Sequence, residues 1–309
     1  MISVTAAIEP AIERTKEILF RPFNAKKWFV LGFSAFLANL TSGGGSRIPS
    51  GNAFRPVARP DELFNGIGDW ISGHLTLAVS IGLISLLLII AFAALFQWLS
   101  SRGQFMFLDA VVHDRARIAE PWRRFRDLGN NLFLFRFLLG LAWMGAFAII
   151  GLMAWLIARP DIAAGHFGGL ALTAILLGCG FILISVLVVG VVVLLLLDFV
   201  VPIMYHQNLN TIEAFSVFRQ DILPGHAGSF VLYYLMKLAL GIAAAVVILT
   251  GTCLTCCLAS LPYLSSVFFL PVFVFFRCYS LSFLEQFEDE WRLDDKVDGP
   301  ASEREPNDP

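Results

Sequence analysis

Charge is scarce in this chain. Of 309 residues, 15% are Asp, Glu, Lys or Arg, against about a quarter in an ordinary soluble domain. With 57% hydrophobic residues and a mean hydropathy of +0.74, that shortage excludes a soluble globule and points to a polytopic membrane protein. A gathered basic face is also missing. The 22 Lys and Arg are scattered over segments flanking apolar runs, which excludes a nucleic-acid-binding surface. No signal-peptide core is visible in residues 1–20, where Glu9, Glu13, Arg14, Lys16 and Glu17 interrupt any apolar run. The protein is therefore expected to enter the membrane through its own first span. Enzyme signatures are wanting too: there is no Gly-rich phosphate loop, no G-x-S-x-G and no H-E-x-x-H. The expectation is a protein that is not an enzyme and needs no cofactor.

Apolar runs are what the chain has in abundance. Runs near 20 residues cover the roughly 30 Å hydrocarbon core of a bilayer. Six are predicted, at residues 28–40, 71–99, 132–157, 167–197, 230–250 and 258–283. The fourth is over-long and is expected to tilt or break near Gly178 and Gly180. Basic residues collect before the first run (Arg14, Lys16, Arg21, Lys26, Lys27) and between the second and third (Arg102, Arg115, Arg117, Arg123, Arg124, Arg126). The positive-inside rule then puts both termini in the cytoplasm. Arg47, Arg55 and Arg59 in the first external loop run against that bias and are offset by Asp61, Glu62 and Asp69. From Glu285 onward there are ten acids and three bases, so residues 291–309 are expected to be a disordered acidic cytoplasmic tail.

The chain also repeats itself. His113, Glu120 and Phe125-Arg126 return 93 positions later as His206, Glu213 and Phe218-Arg219. A fixed-period echo marks repeated units. The predicted architecture is all-α, with six transmembrane helices as three hairpins, each preceded by a cytoplasmic interfacial amphipathic helix. It forms a single membrane domain over residues 1–290, with units at about 1–100, 101–198 and 199–287. In the first interfacial helix Ile8, Ile12 and Leu19 form the apolar stripe. In the second, Phe105, Leu108, Val111 and Val112 do so, and in the third Ile203, Ile212, Phe215 and Phe218.

Charges inside spans are costly and are usually paired or functional. Four qualify: Arg136, Asp198, Lys237 and Arg277. Arg136 and Arg277 stand near the cytoplasmic ends and are expected to snorkel to lipid phosphates. Lys237 lies roughly 13 Å into the fifth span at 1.5 Å per residue. Asp198 precedes Pro202, which is expected to end its helix. Asp198 is expected to pair with Lys237 or Arg277 and lock adjacent hairpins together. A proton or ion relay is the competing reading.

His113 and His206, with Glu120 and Glu213, sit on the cytoplasmic helices as capping or headgroup-contacting groups. Their spacing matches no known metal motif, so no metal is expected. Cys253, Cys256 and Cys257 form C-x-x-C-C. They are small packing residues by default, and a Cys253–Cys256 disulfide is compatible with an oxidising periplasm. Gly178-x-Gly180 reads as small-residue helix packing, His74 and His166 as solitary, and Asp161 as an ordinary loop acid.

Cys256-Cys257, Pro262-Tyr263-Leu264, Leu270-Pro271, Phe275-Phe276-Arg277 and Leu284-Glu285-Gln286-Phe287 resemble an uncharacterised family of bacterial six-span membrane proteins, as do Asp198-Phe199-Val200-Val201-Pro202, Arg21-Pro22-Phe23 and Lys27-Trp28. That family is similar in layout to the membrane domain attached to some glycerophosphodiester phosphodiesterases. The resemblance implies a bacterial inner-membrane location, and no phosphodiesterase activity, because no catalytic domain follows. The expected role is a scaffold or lipid-interacting accessory, whose partners are the anionic headgroups of membrane lipids at the cytoplasmic face. A transporter of small solutes or lipids built on the three hairpins is the alternative. An intramembrane metal-dependent enzyme using His113 and His206 is a third.

Overall fold

The computed structural model describes residues 3–41, 73–114, 118–164, 168–254 and 262–287, and among these residues the regular structure is entirely helical. Helices α1 (Ile8–Phe20) and α2 (Ala25–Asn39) meet at a corner where the Asn24 side chain accepts the N–H groups of Lys26 and Lys27. These are two of the donors that a helix start leaves free. Helices α3 (Leu75–Val112) and α5 (Arg126–Ala163) flank the short α4 (Ala119–Arg124). Helix α6 is one rod made of Gly169–Leu195, a π turn at Leu196–Val200, and Val201–Gln207. Helix α7 (Thr211–Val217) runs into a second π turn at Phe218–Ile222. Helices α8 (Ala227–Leu254), α9 (Pro262–Phe268) and α10 (Leu270–Leu284) complete the described chain.

Among the described residues four helices, α3, α5, α6 and α8, are long and apolar enough to cross a membrane. The first and last of the six predicted spans differ from that expectation. Helix α2 has 15 residues, about 22 Å at 1.5 Å per residue. The last apolar run is divided at Phe269 into α9 and α10. Pro271 stands in the first turn of α10, where a missing N–H is tolerated, whereas inside a continuous helix it would leave a carbonyl unpaired.

Packing is concentrated at one end of the long helices. Helix α3 is exposed through Phe96 and buried from Ser100, α6 is mostly exposed through Leu194 and largely buried from Leu196, and α5 is buried near its start and again at Asp161 in its last turns. None of the most apolar stretch of α3 or α5 is covered. The buried ends, with α1, α2, α7 and α10, share one core. Aromatic rings dominate part of it. Phe199 stacks on Phe218 at 5.6 Å, and Tyr233 of α8 stacks on Phe283 and Tyr279 of α10 at 4.6 and 5.1 Å. Such pairs add about 0.5–1.5 kcal/mol beyond the area they bury.

The separate interfacial helices take a different form. Nothing in residues 104–112 interrupts the helix, so this predicted second interfacial segment is the continuation of α3. Likewise 201–207 continues α6 through its π turn instead of ending at Pro202. Both rods end at a left-handed residue, Asp114 (φ 50°) and Asn208 (φ 54°). Helix α1 packs on α10, but its covered stripe is Ala7, Ala11, Thr15, Ile18 and Leu19, while Ile12 faces outward. Small side chains let α1 approach its neighbour closely, and they outweigh the larger Ile12 in setting its rotation.

Helix α2 lies along α3, and α5 along α6. Gly103 permits the first contact: a β-carbon there would stand 2.6 Å from the Ala38 nitrogen and the Leu37 carbonyl carbon. Helix α9 rests on α2, with Val267 against Gly32 and the Tyr263 hydroxyl donating to the Phe29 carbonyl at 3.0 Å. The C-terminal segment thus closes on the N-terminal one. Asp161 is not a loop acid; it is buried in the last turns of α5 and accepts the Ala171 N–H at 2.8 Å, capping α6 across the connection. Helix α6 runs unbroken through Gly178 and Gly180, and a β-carbon at either would touch nothing within 4 Å, so the expected small-residue packing is absent there.

Candidate functional site

The chemistry of the site begins with Pro202. In the π turn the Val201 N–H reaches the Leu196 carbonyl, five residues back. The next bond in that register would run from residue 202 to the Leu197 carbonyl, but proline has no N–H to donate. The Leu197 oxygen is therefore released from the helix, and Arg277 Nη1 of α10 donates to it at 2.7 Å. A π turn of this kind is a frequent device for opening backbone groups to a site.

The same turn directs Asp198 inward. Lys237 of α8 places Nζ 2.6 Å from both carboxylate oxygens, and both side chains are largely buried. Asp198, Lys237 and Arg277 line a chamber of about 180 Å³, together with Asn39 of α2, Gln104 of α3 and Ser280 of α10. Gln104 Nε2 donates to the Ala38 carbonyl at 2.7 Å and Ser280 Oγ to the Phe276 carbonyl at 2.8 Å. Arg277 is 6% exposed, and its Nε and Nη2 have no hydrogen-bond partner among the described residues. With the Asp198 and Lys237 charges paired, the chamber retains one uncompensated positive charge.

The arginine of the third apolar run is also turned inward. Arg136 donates from Nη2 to Thr41 Oγ1 at 2.9 Å and is buried. Snorkelling toward the surface is therefore not the arrangement found for Arg136 or Arg277. Each satisfies part of its guanidinium with hydroxyl or carbonyl oxygens inside the packed end. Arg102, which the sequence marked only as a flanking base, is buried as well. Its guanidinium lies over the Trp98 and Trp122 rings at 4.3 and 5.0 Å and donates to Asn130 at 3.1 Å.

The repeat positions do not join the chamber. His113 Nδ1 lies 3.1 Å from the Tyr205 hydroxyl, which donates to Asp109 at 2.8 Å and ties the end of α3 to the end of α6. Glu213 accepts the Asn210 N–H at 3.0 Å in a capping box that starts α7. His206 sits in the last turn of α6 and Glu120 in the first turn of α4. Among the described residues no three His, Cys, Asp or Glu side chains stand close enough to share a metal ion. Cys253 is exposed on the last turn of α8, while Cys256, Cys257 and His166 lie outside the described residues, as do Arg47, Arg55, Arg59, Asp61, Glu62 and Asp69, Arg115 and Arg117, and the acidic tail.

Asn39, Gln104 and Ser280 were missed in the sequence. An amide or hydroxyl in an apolar run is a weak signal alone, and only the approach of α2, α3 and α10 makes it a site. Pro202 four residues after Asp198 carried the better clue. No curated protein and no solved structure matches this chain. A family model does match, over residues 2–270, and on that span the chain belongs to a family of unknown function, DUF7544.

Proposed function

We propose that the protein is a non-enzymatic component of a bacterial inner membrane, with both termini cytoplasmic, which holds and organises anionic lipid as a scaffold or accessory. The observation that carries this reading is the corner between α1 and α2. Phe20 and Phe23 are exposed there on either side of Trp28, with ring centroids 5.8 and 5.6 Å from it, beside exposed Arg21 and Lys26. Apolar rings next to bases suit a surface that dips into the headgroup layer. Arg123, Arg124 and Arg126 add further exposed charge at the packed end. In this reading the uncovered stretches at about 77–96, 138–156 and 170–194 cross the bilayer, each near the length that about 30 Å of hydrocarbon requires, and α8 (Ala227–Leu254) crosses beside them. The packed ends then stand at the cytoplasmic interface, each reached through a related helix end, in keeping with the 93-residue echo.

The test is lipid composition in discs cut directly from mixed vesicles. The wild-type protein is expected to carry more anionic lipid than the bulk. Replacing Arg21, Lys26, Arg123 and Arg124 together with Gln should remove most of that enrichment, since each base near an anionic surface contributes about 1 kcal/mol. Enrichment that is absent, or indifferent to the four substitutions, sinks the reading.

A further inference from the structure

The chamber opens beside a second space. A groove of about 940 Å³ runs between α6 and α8, lined by apolar side chains that include Val191, Leu194, Phe230, Leu238 and Ile242. Leu194 and Lys237 line both the groove and the chamber. The size lies at the upper end of the range for small-molecule sites, about 300–1,000 Å³. An apolar slot joined to a small polar chamber is the complement of an amphiphile. The chamber also stands where α3, α6 and α8 change from covered to uncovered, within about two turns of that change on each helix.

Charge selects the head of that amphiphile. Lys237 neutralises Asp198 through two 2.6 Å contacts, so the guanidinium of Arg277 is left as the net charge. Its Nη1 is occupied by the Leu197 carbonyl, and the edge formed by Nε and Nη2 is buried with no hydrogen-bond partner among the described residues. That edge presents two parallel N–H groups, a geometry that takes two oxygens of one phosphate or carboxylate. A buried donor pair with no acceptor is costly, and more so when it carries charge. We infer that the chamber and groove together form a specific site for one membrane phospholipid, its phosphodiester held by Arg277 Nε and Nη2 and its acyl chain laid between α6 and α8. One negative charge on the phosphodiester balances the one uncompensated positive charge. This rests on the lipid-binding reading above, but it concerns a single internal site and not the headgroup-facing surface.

Native mass spectrometry of the full chain, released from detergent after purification from membranes, tests it. The expected result is one phospholipid mass retained per protein. Arg277→Gln should lower its occupancy by about tenfold or more, the scale set by losing a charge-assisted bidentate contact. Gly241 lines the groove, and a β-carbon there would meet nothing within 4 Å. Gly241→Phe therefore obstructs the chain without disturbing Arg277, and it decides the matter if Arg277→Gln does not fold; it too should lose the lipid. The quadruple surface variant should keep it, so the two readings fail separately. A lipid-free wild-type protein, a fatty acid in place of a phospholipid, or inorganic phosphate filling the site in delipidated protein with no competition from phospholipid would each overturn the inference. So would a phospholipid retained unchanged in Gly241→Phe.

Discussion

Asp198→Asn is expected to destabilise the protein by about 3–5 kcal/mol, the usual consequence of removing one partner of a buried ion pair. Two cations, Lys237 and Arg277, would then line the chamber with no carboxylate between them. Lys237→Met should cost less, because Asp198 retains the Arg277 guanidinium across the same chamber. The double variant should lie close to Lys237→Met, well short of the sum, since the second substitution removes a charge that the first has stranded. Unfolding midpoints in mild detergent for the four proteins of this cycle check the point. Strict additivity, or Lys237→Met as the more damaging single change, would mean that Asp198 and Lys237 do not act as a pair.

Gly103→Ala is expected to be the most damaging single-methyl addition along α3. The new carbon would stand 2.6 Å from backbone atoms of Leu37 and Ala38, which cannot rotate away as a side chain can. Overpacking of this kind costs about 1–3 kcal/mol. Here it would also separate α2 from α3, breaking the bonds from Gln104 Nε2 and Ser100 Oγ to the Ala38 carbonyl. Gly178→Ala and Gly180→Ala make the controls. Both positions are open, so the change should be neutral or should stabilise α6 by about 0.5–1 kcal/mol through backbone entropy. Loss of thermal stability confined to Gly103→Ala is the expected outcome; equal loss in all three would contradict the close approach of α2.

Length and hydropathy made the four long helices legible, because a run such as residues 75–97 can satisfy its backbone in lipid only as a helix. Their ends were harder to read. Hydropathy falls at Ser100-Ser101-Arg102, but helical hydrogen bonding does not, so α3 continues to Val112 where the sequence placed a boundary. Pro202 marks a disturbance without saying which kind. The chain resolves it with a wider turn in place of a stop, and the consequence, a freed Leu197 carbonyl, depends on Arg277, 80 residues away. The rotation of α1 was missed because Ala7 and Ala11 are weak hydrophobic signals yet define the surface that α10 can approach. Asp198, Lys237 and Arg277 stood out individually as charges in apolar runs. The chamber did not, since Asn39, Gln104 and Ser280 reach it only through long-range packing.

In the proposed arrangement the polar chamber, with a guanidinium edge that has no hydrogen-bond partner among the described residues, stands at the level where α3, α6 and α8 enter lipid. A density map of the protein in a phospholipid nanodisc tests that most directly. The predicted result is a lipid band centred on residues 77–96, 138–156, 170–194 and 238–249, with a phosphate within hydrogen-bonding distance of Arg277 Nε and Nη2 and a tail between α6 and α8. A band centred instead on the packed ends, or a chamber whose Arg277 meets no phosphate, would contradict it.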